Sequence, residues 1–384
     1  MPSRRDLLAT IGAGAALGLA GCASRDCTPA APVGTDWPQP GGDPGNTAAL
    51  PDGSVPARVG DRWRAPIVPD ADLLAFAGAV ADGERIVGLG RIAETGLYTE
   101  YDLADGSTGT RVTVPERIAS PPVVVAGFTA VVAATDDGAE LRLLSDGSES
   151  GRYAFGSAPA TPRAAGSTLF GGDADGAFAY EVTDDRERWR RAFGDPQEGG
   201  AVSFSPAVDD RRVYVTVTSS SDRGIHALDR ATGEIDWSVP GPRATRAPVR
   251  TGSLLLVPVR HELLAFDAET GERRWSTPTP ADRRTFRSPA GTDAGLVVAD
   301  GAAIHRLDPE TGDLGWSVEF DGVGRPAVVG DTVLASNDAA TRALALGDGS
   351  ERWRIDDVSL IAPLGNGVLV RRDDELVACT TCEN

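Results

Sequence analysis

The chain has 384 residues, 41% of them hydrophobic, with 46 Gly and 27 Pro, so it can bury a substantial core and make many tight turns. It carries 56 acids against 37 bases, every base being Arg, for a net charge of -19. That charge repels phosphate backbones and excludes nucleic acid as a partner, while the scarcity of helix-period apolar stretches after residue 20 points to an all-β fold.

Residues 1–21 read as an address rather than a fold. Arg4 and Arg5 precede an apolar run from Leu7 to Ala20 that is too short to span a bilayer comfortably. Ser3-Arg4-Arg5 followed by Leu7 and Leu8 resembles a twin-arginine export signal. Leu19-Ala20-Gly21-Cys22 resembles a lipobox, which implies cleavage before Cys22 and a lipid on its thiol. The expected location is the extracellular face of the cell membrane, held by that lipid. Residues 22–56 are rich in Pro, Gly, Ala and Asp and are expected to form a flexible tether.

From residue 57 to residue 384 one unit recurs. Units open at Pro122, Pro162, Pro206, Pro248, Pro289, Pro326 and Pro363, a spacing of roughly 40 residues that suits one four-stranded propeller blade. The unit at 205–239 shows the logic. Pro206 can start a short strand but not continue it. Val213–Thr218 is β-branched and alternating, a good half-buried strand. Ile225–Leu228 is a third strand, Asp229 to Gly233 a tight turn, and Glu234–Val239 an outer strand carrying Trp237. Trp189, Trp275, Trp316 and Trp353 hold the same place in their units. An indole at a fixed site on every outer strand suits packing between neighbouring blades.

The pattern Ala-x-Asp-x-x-Thr-Gly-x-x-x-Trp is complete at Ala227 to Trp237 and at Ala265 to Trp275. It resembles the repeats of pyrroloquinoline-quinone-like β-propellers, BamB-like lipoproteins among them. The lack of Lys and the acidic excess resemble the proteins of extreme halophiles, notably haloarchaea. The resemblance is specific for fold and nearly silent on activity.

A diverged first unit from about Phe76 to Pro115 brings the expected number of blades to eight, with a seven-bladed ring as the alternative. The last unit stops at Asn384, before its outer strand. An orphan outer-strand motif, Gly60 to Pro66 with Trp63, precedes the first unit. It is expected to complete the last blade and so leave no open edge.

Little of the sequence suggests chemistry. His226 and His305 fall at one repeat position, and with His261 they are too dispersed for a metal site. Asp173-Ala-Asp175-Gly176 reads as an acidic turn. Cys379 and Cys382 have the spacing of a disulfide outside the cell, although Cys27 could bridge to either one. No catalytic, cofactor-binding or metal-binding residue is identified, and no cofactor is expected. The expected function is a non-enzymatic scaffold with a protein partner at the membrane surface. A quinoprotein dehydrogenase is the alternative, although the adjacent Cys pair of those enzymes is missing. A solute or polymer sensor with a membrane partner is a third reading. Oligomeric state is left open.

Overall fold

The computed structural model describes residues 27–34, 36–67, 75–92, 95–155, 157, 159–194, 201–218, 221–280 and 284–383. Arg4, Arg5 and Cys22 lie outside the described residues. Every regular element described is a β-strand, and these form eight antiparallel blades. In chain order the blades occupy residues 75–114, 117–155, 163–191, 207–240, 249–278, 290–319, 327–356 and 359–383. We number them 1 to 8. Innermost strands of successive blades lie side by side, and blade 8 returns to blade 1, so the ring is closed.

Blade 4 shows how residue type sets position. Ala207–Val208 is innermost, followed by Arg212–Val217, Gly224–Asp229 and the outer strand Ile235–Pro240. Arg212–Val217 is buried throughout, whereas the outer strand alternates between exposed and half-buried. The inner strands are therefore β-branched and apolar on both faces, and only the outer strand shows period-two polarity. Between the third and outer strands, Asp229 Oδ1 accepts the N–H groups of Ala231 and Thr232, both at 2.9 Å. The same Asx turn recurs at Asp267 and Asp308.

Both turns of this kind, first-to-second and third-to-outer, lie on one side of the ring, here called the turn face. The longer connections lie on the opposite side, the loop face.

Blade 8 takes its outer strand from the other end of the chain. Val59–Pro66 pairs antiparallel with Glu375–Glu383, placing Trp63 opposite Ala378 beside a bulge. Trp189, Trp237, Trp275 and Trp353 stand opposite Ala179, Ala227, Ala265 and Ala343 in the same bulged register. Trp316 holds that register opposite Arg306.

From Cys27 onward the segment expected to be a tether is instead part of the fold, which corrects the boundary at residue 56. Cys27 forms a disulfide with Cys382, and Thr28–Pro29 adds to the edge of Glu375–Glu383. The chain then circles inside the ring. Trp37 pairs with Ala81 of blade 1, Pro38 accepts Val124 N of blade 2, and Gln39 bonds Ala164 of blade 3 through both its amide atoms. Pro44, Gly45, Thr47 and Ala48 accept N–H groups from Val208, Arg250, Gly291 and Val328 of blades 4 to 7. Ala49–Leu50 runs parallel to Val328–Val329.

This collar has a physical reason. Each innermost strand presents unpaired N–H groups to the central channel, and buried N–H groups need partners. A Pro- and Gly-rich chain can follow a circle of such donors because it need not keep a regular ladder of its own.

Of the pairings left open by the sequence, Cys379 with Cys382 is not the one formed; Cys27 bridges to Cys382. Cys379 is a buried free thiol within the sheet. Cys382 lies at the turn face, where Pro29 is its register partner. The CxxC spacing misleads because alternate residues of a strand point to opposite faces, so residues three apart on one strand diverge.

Candidate functional site

The collar closes the channel near the turn face and leaves a funnel open to the loop face. The funnel is a cavity of about 420 Å³ whose lining includes Trp37, Pro40, Gly41 and Ala48 from the collar. Around these stand Phe76, Pro121, Arg325, Asn337, Asp338 and Leu360 from blades 1, 2, 7 and 8.

Two arginines lock the collar. Arg163 is 2% exposed and donates to Pro40 O and to Asn46 Oδ1 at 3.0 Å. Arg325 donates to the same Asn46 Oδ1 at 2.7 Å, to Asn46 O, and to Pro289 O at 2.9 Å. Asn46 Nδ2 in turn donates to Pro248 O at 2.9 Å. Removal from water brings the Arg163 guanidinium down to about 10. Burial, with Arg163 as a like charge, brings Arg325 down to about 9. Asp43 opposes both shifts, and it also accepts Thr47 N at 2.8 Å. Both arginines stay protonated at neutral pH, and their donors serve the collar.

Asn337 and Ser336, also on the funnel wall, hold the fold. Asn337 Oδ1 accepts Ala339 N and Ala340 N, and its amide donates to Asp321 O at 2.7 Å. Ser336 Oγ accepts Leu360 N at 2.9 Å. No cysteine lines the funnel, and among the described residues no three metal-capable side chains gather. A quinone with its metal therefore does not fit the residues present.

The six repeat indoles sit between blades. Trp63, Trp189, Trp237, Trp275 and Trp316 donate to carbonyls of Leu103, Arg230, Ala268, Pro309 and Leu346, each in the third-to-outer turn of the next blade, at 2.7 to 3.2 Å. Trp353 donates to Pro56 O at 2.9 Å, because the entering N-terminal chain replaces that turn in blade 8. The turn glycine is pressed against the ring. At Gly312, φ is +75° and an added Cβ would lie 2.6 Å from Trp275 Cε3.

One constellation is invisible in the sequence. His305 is 3% exposed; its Nδ1 meets Ser317 Oγ at 2.8 Å, and its Nε2 faces Asp300 Oδ2 at 3.6 Å. Asp300 also holds Arg284 at 3.3 Å. Blade 4 repeats the pair, with His226 Nδ1 at 2.8 Å from Ser238 Oγ and its Nε2 on the Asp222 carbonyl oxygen. Burial lowers both imidazoles below their ordinary value, so both are neutral near pH 7. Recurrence of the pair without the carboxylate assigns it to repeat packing. Asp173, on its acidic turn, pairs with Arg190 at 2.9 Å.

A family profile described as outer membrane protein assembly factor BamB matches residues 140–293 and 260–381, together more than half of the chain. No curated protein matches by sequence. Solved structures share the fold. The computationally designed Ika8 protein is 13% identical, covering 83% of this chain and 99% of that one at a TM-score of 0.68. BamB from Moraxella catarrhalis is 15% identical, covering 85% and 98% at 0.54. Quinohemoprotein alcohol dehydrogenase from Comamonas testosteroni is 13% identical, covering 90% and 80% at 0.65. Identities this low speak for architecture alone.

Proposed function

Because the chain belongs to the family described as outer membrane protein assembly factor BamB, we propose that it is a non-enzymatic, lipid-anchored scaffold that holds a protein partner on its loop face. The observation that carries this reading is the sealed channel. The funnel has a floor made of the chain itself; Arg325 holds that floor, while Asn337 and Ser336 hold the loops around it. A surface of this kind offers shape to a partner and little to a reaction.

The anchor gives the disc a direction. Cys22 precedes Cys27 by five positions, at most about 18 Å of extended chain. Cys27 is bonded at the turn face. A lipid on Cys22 then keeps the turn face toward the membrane and the funnel toward the exterior. The acidic, Lys-free surface suits work in concentrated salt, where a Debye length of roughly 3 Å screens self-repulsion.

The test is crosslinking at high salt from single cysteines placed on each face, read by mass spectrometry. A partner joined through loop-face positions and absent from turn-face positions supports the scaffold. Turnover of an alcohol after addition of pyrroloquinoline quinone and calcium would overturn it.

A further inference from the structure

One sector of the ring gathers several arginines that, with one exception, meet no carboxylate among the described residues. Many guanidiniums elsewhere meet carboxylates: Arg85 with Asp82 and Glu100, Arg142 with three glutamates, Arg212 with Asp236, Arg274 with Asp267, Arg352 with Asp331. This is what a chain with 56 acids and 37 arginines should do. On the loop face of blades 4 to 6 it does not. Arg223, Arg243, Arg246, Arg260, Arg284 and Arg287 occupy four neighbouring connections there. Among the described residues only Arg284 has an ion-pair partner, the buried Asp300.

These connections form one continuous arc. Gly241 N donates to Arg223 O at 3.0 Å, and Thr245 N to Pro258 O at 2.9 Å. Thr279 N donates to His261 O at 2.8 Å, and His261 Nδ1 lies 3.2 Å from Arg284 O. Arg287 N donates to Ala299 O at 2.7 Å. Arg223, Arg243 and Arg260 are exposed, and Arg246 and Arg287 are half-buried. The residues between them are Ala, Thr, Pro, Ser and Phe rather than acids, as in Pro240 to Pro248 and Arg284 to Pro289. Among the described residues the acids nearby are Asp222, the half-buried Glu262 and the buried Asp300.

We infer that this arc is a docking surface for a carboxylate-rich polypeptide segment of a partner protein. The inference rests on the scaffold reading and names the chemistry of its partner. An arc spread across three blades suits an extended chain better than a small anion. Guanidinium pairs with carboxylate bidentately, at contact distance. Such pairs survive salt that screens longer-range attraction. A chain of net charge -19 has no long-range pull on any polyanion, so recognition must come from these local forks.

The test uses the mature lipid-free protein and a labelled oligo-glutamate peptide, with fluorescence anisotropy at high salt. R243Q/R246Q/R260Q should weaken binding by about tenfold or more, and R186Q/R211Q, two exposed turn-face arginines, by less than about twofold. R243K/R246K/R260K keeps the charge but loses the fork, and should fall between them. Unchanged melting of the variants shows that the ring is intact. Absence of peptide binding, equal loss in the control, or tighter arc-dependent binding of a single-stranded polynucleotide would each overturn the inference. A partner crosslinked through the funnel rim, with affinity indifferent to the arc, would sink the arc and leave the scaffold standing.

Discussion

Cutting the disulfide tests the corrected connectivity directly. Cys27 and Cys382 are separated by 355 positions, so the link encloses nearly the whole folded chain. On the loop-entropy relation, closing such a loop lowers the entropy of the unfolded chain by about 20 cal/mol/K, or about 6 kcal/mol at room temperature. A bridge between Cys379 and Cys382 would close only a four-residue loop, for about 2 kcal/mol. Taking about 2.1 cal/mol/K of unfolding entropy per residue, a domain of roughly 350 residues loses about 8 °C in melting temperature in the first case and about 3 °C in the second. The assay is calorimetric melting at high salt with and without reductant, for the parent protein, C27S and C379S. C27S should melt low and ignore reductant, while C379S should keep the full reductant-dependent drop. If C379S abolishes that drop and C27S preserves it, the collar is not covalently tied and the argument fails.

Three further outcomes follow from the packing. Asn46→Ala removes the shared acceptor of Arg163 and Arg325 and leaves two guanidiniums under-partnered, which should cost about 3–5 kcal/mol by denaturant melting and expose residues 36–50 to proteolysis. Trp275→Ala should cost about 3–5 kcal/mol from lost packing, and Trp275→Phe less, the indole bond to Pro309 being worth about 1 kcal/mol. The Asp267 carboxyl, held by Arg274 and by the N–H groups of Thr270 and Glu269, sits at about 2 against an ordinary 3.8. Its folded value is depressed, so its contribution is whole above about pH 4 and is lost as pH falls toward 2. Asp267→Asn should flatten stability across that window in an acid titration followed by circular dichroism.

The ring was legible because its signals are local. A Pro that opens a strand, an Asx turn and an outer-strand Trp recur at fixed spacing, and an unmatched copy at Gly60 to Pro66 marks the sealing strand. The collar was not legible. Its order comes from N–H groups on the innermost strands of the blades, a property that exists only after the ring has formed. Nothing in residues 27–50 has strand or helix period. The isolated Trp37 and Asn46, ordinary in a tether, become the floor of the funnel and the hub of a hydrogen-bond cluster. The arginine arc was hidden for a similar reason. Its members are scattered from residue 223 to residue 287, and only the stacking of three blades sets them side by side.

The collar also bears on how the molecule is made. Residues 27–66 are synthesised before the blades they join, yet their partners include residues 375–383, so this early segment must wait for a late one. Contacts of such long sequence separation are slow to form. Until residues 375–383 arrive, a nascent propeller holds an unthreaded drawstring and a gap between its first and eighth sheets, and only then can it pull itself shut.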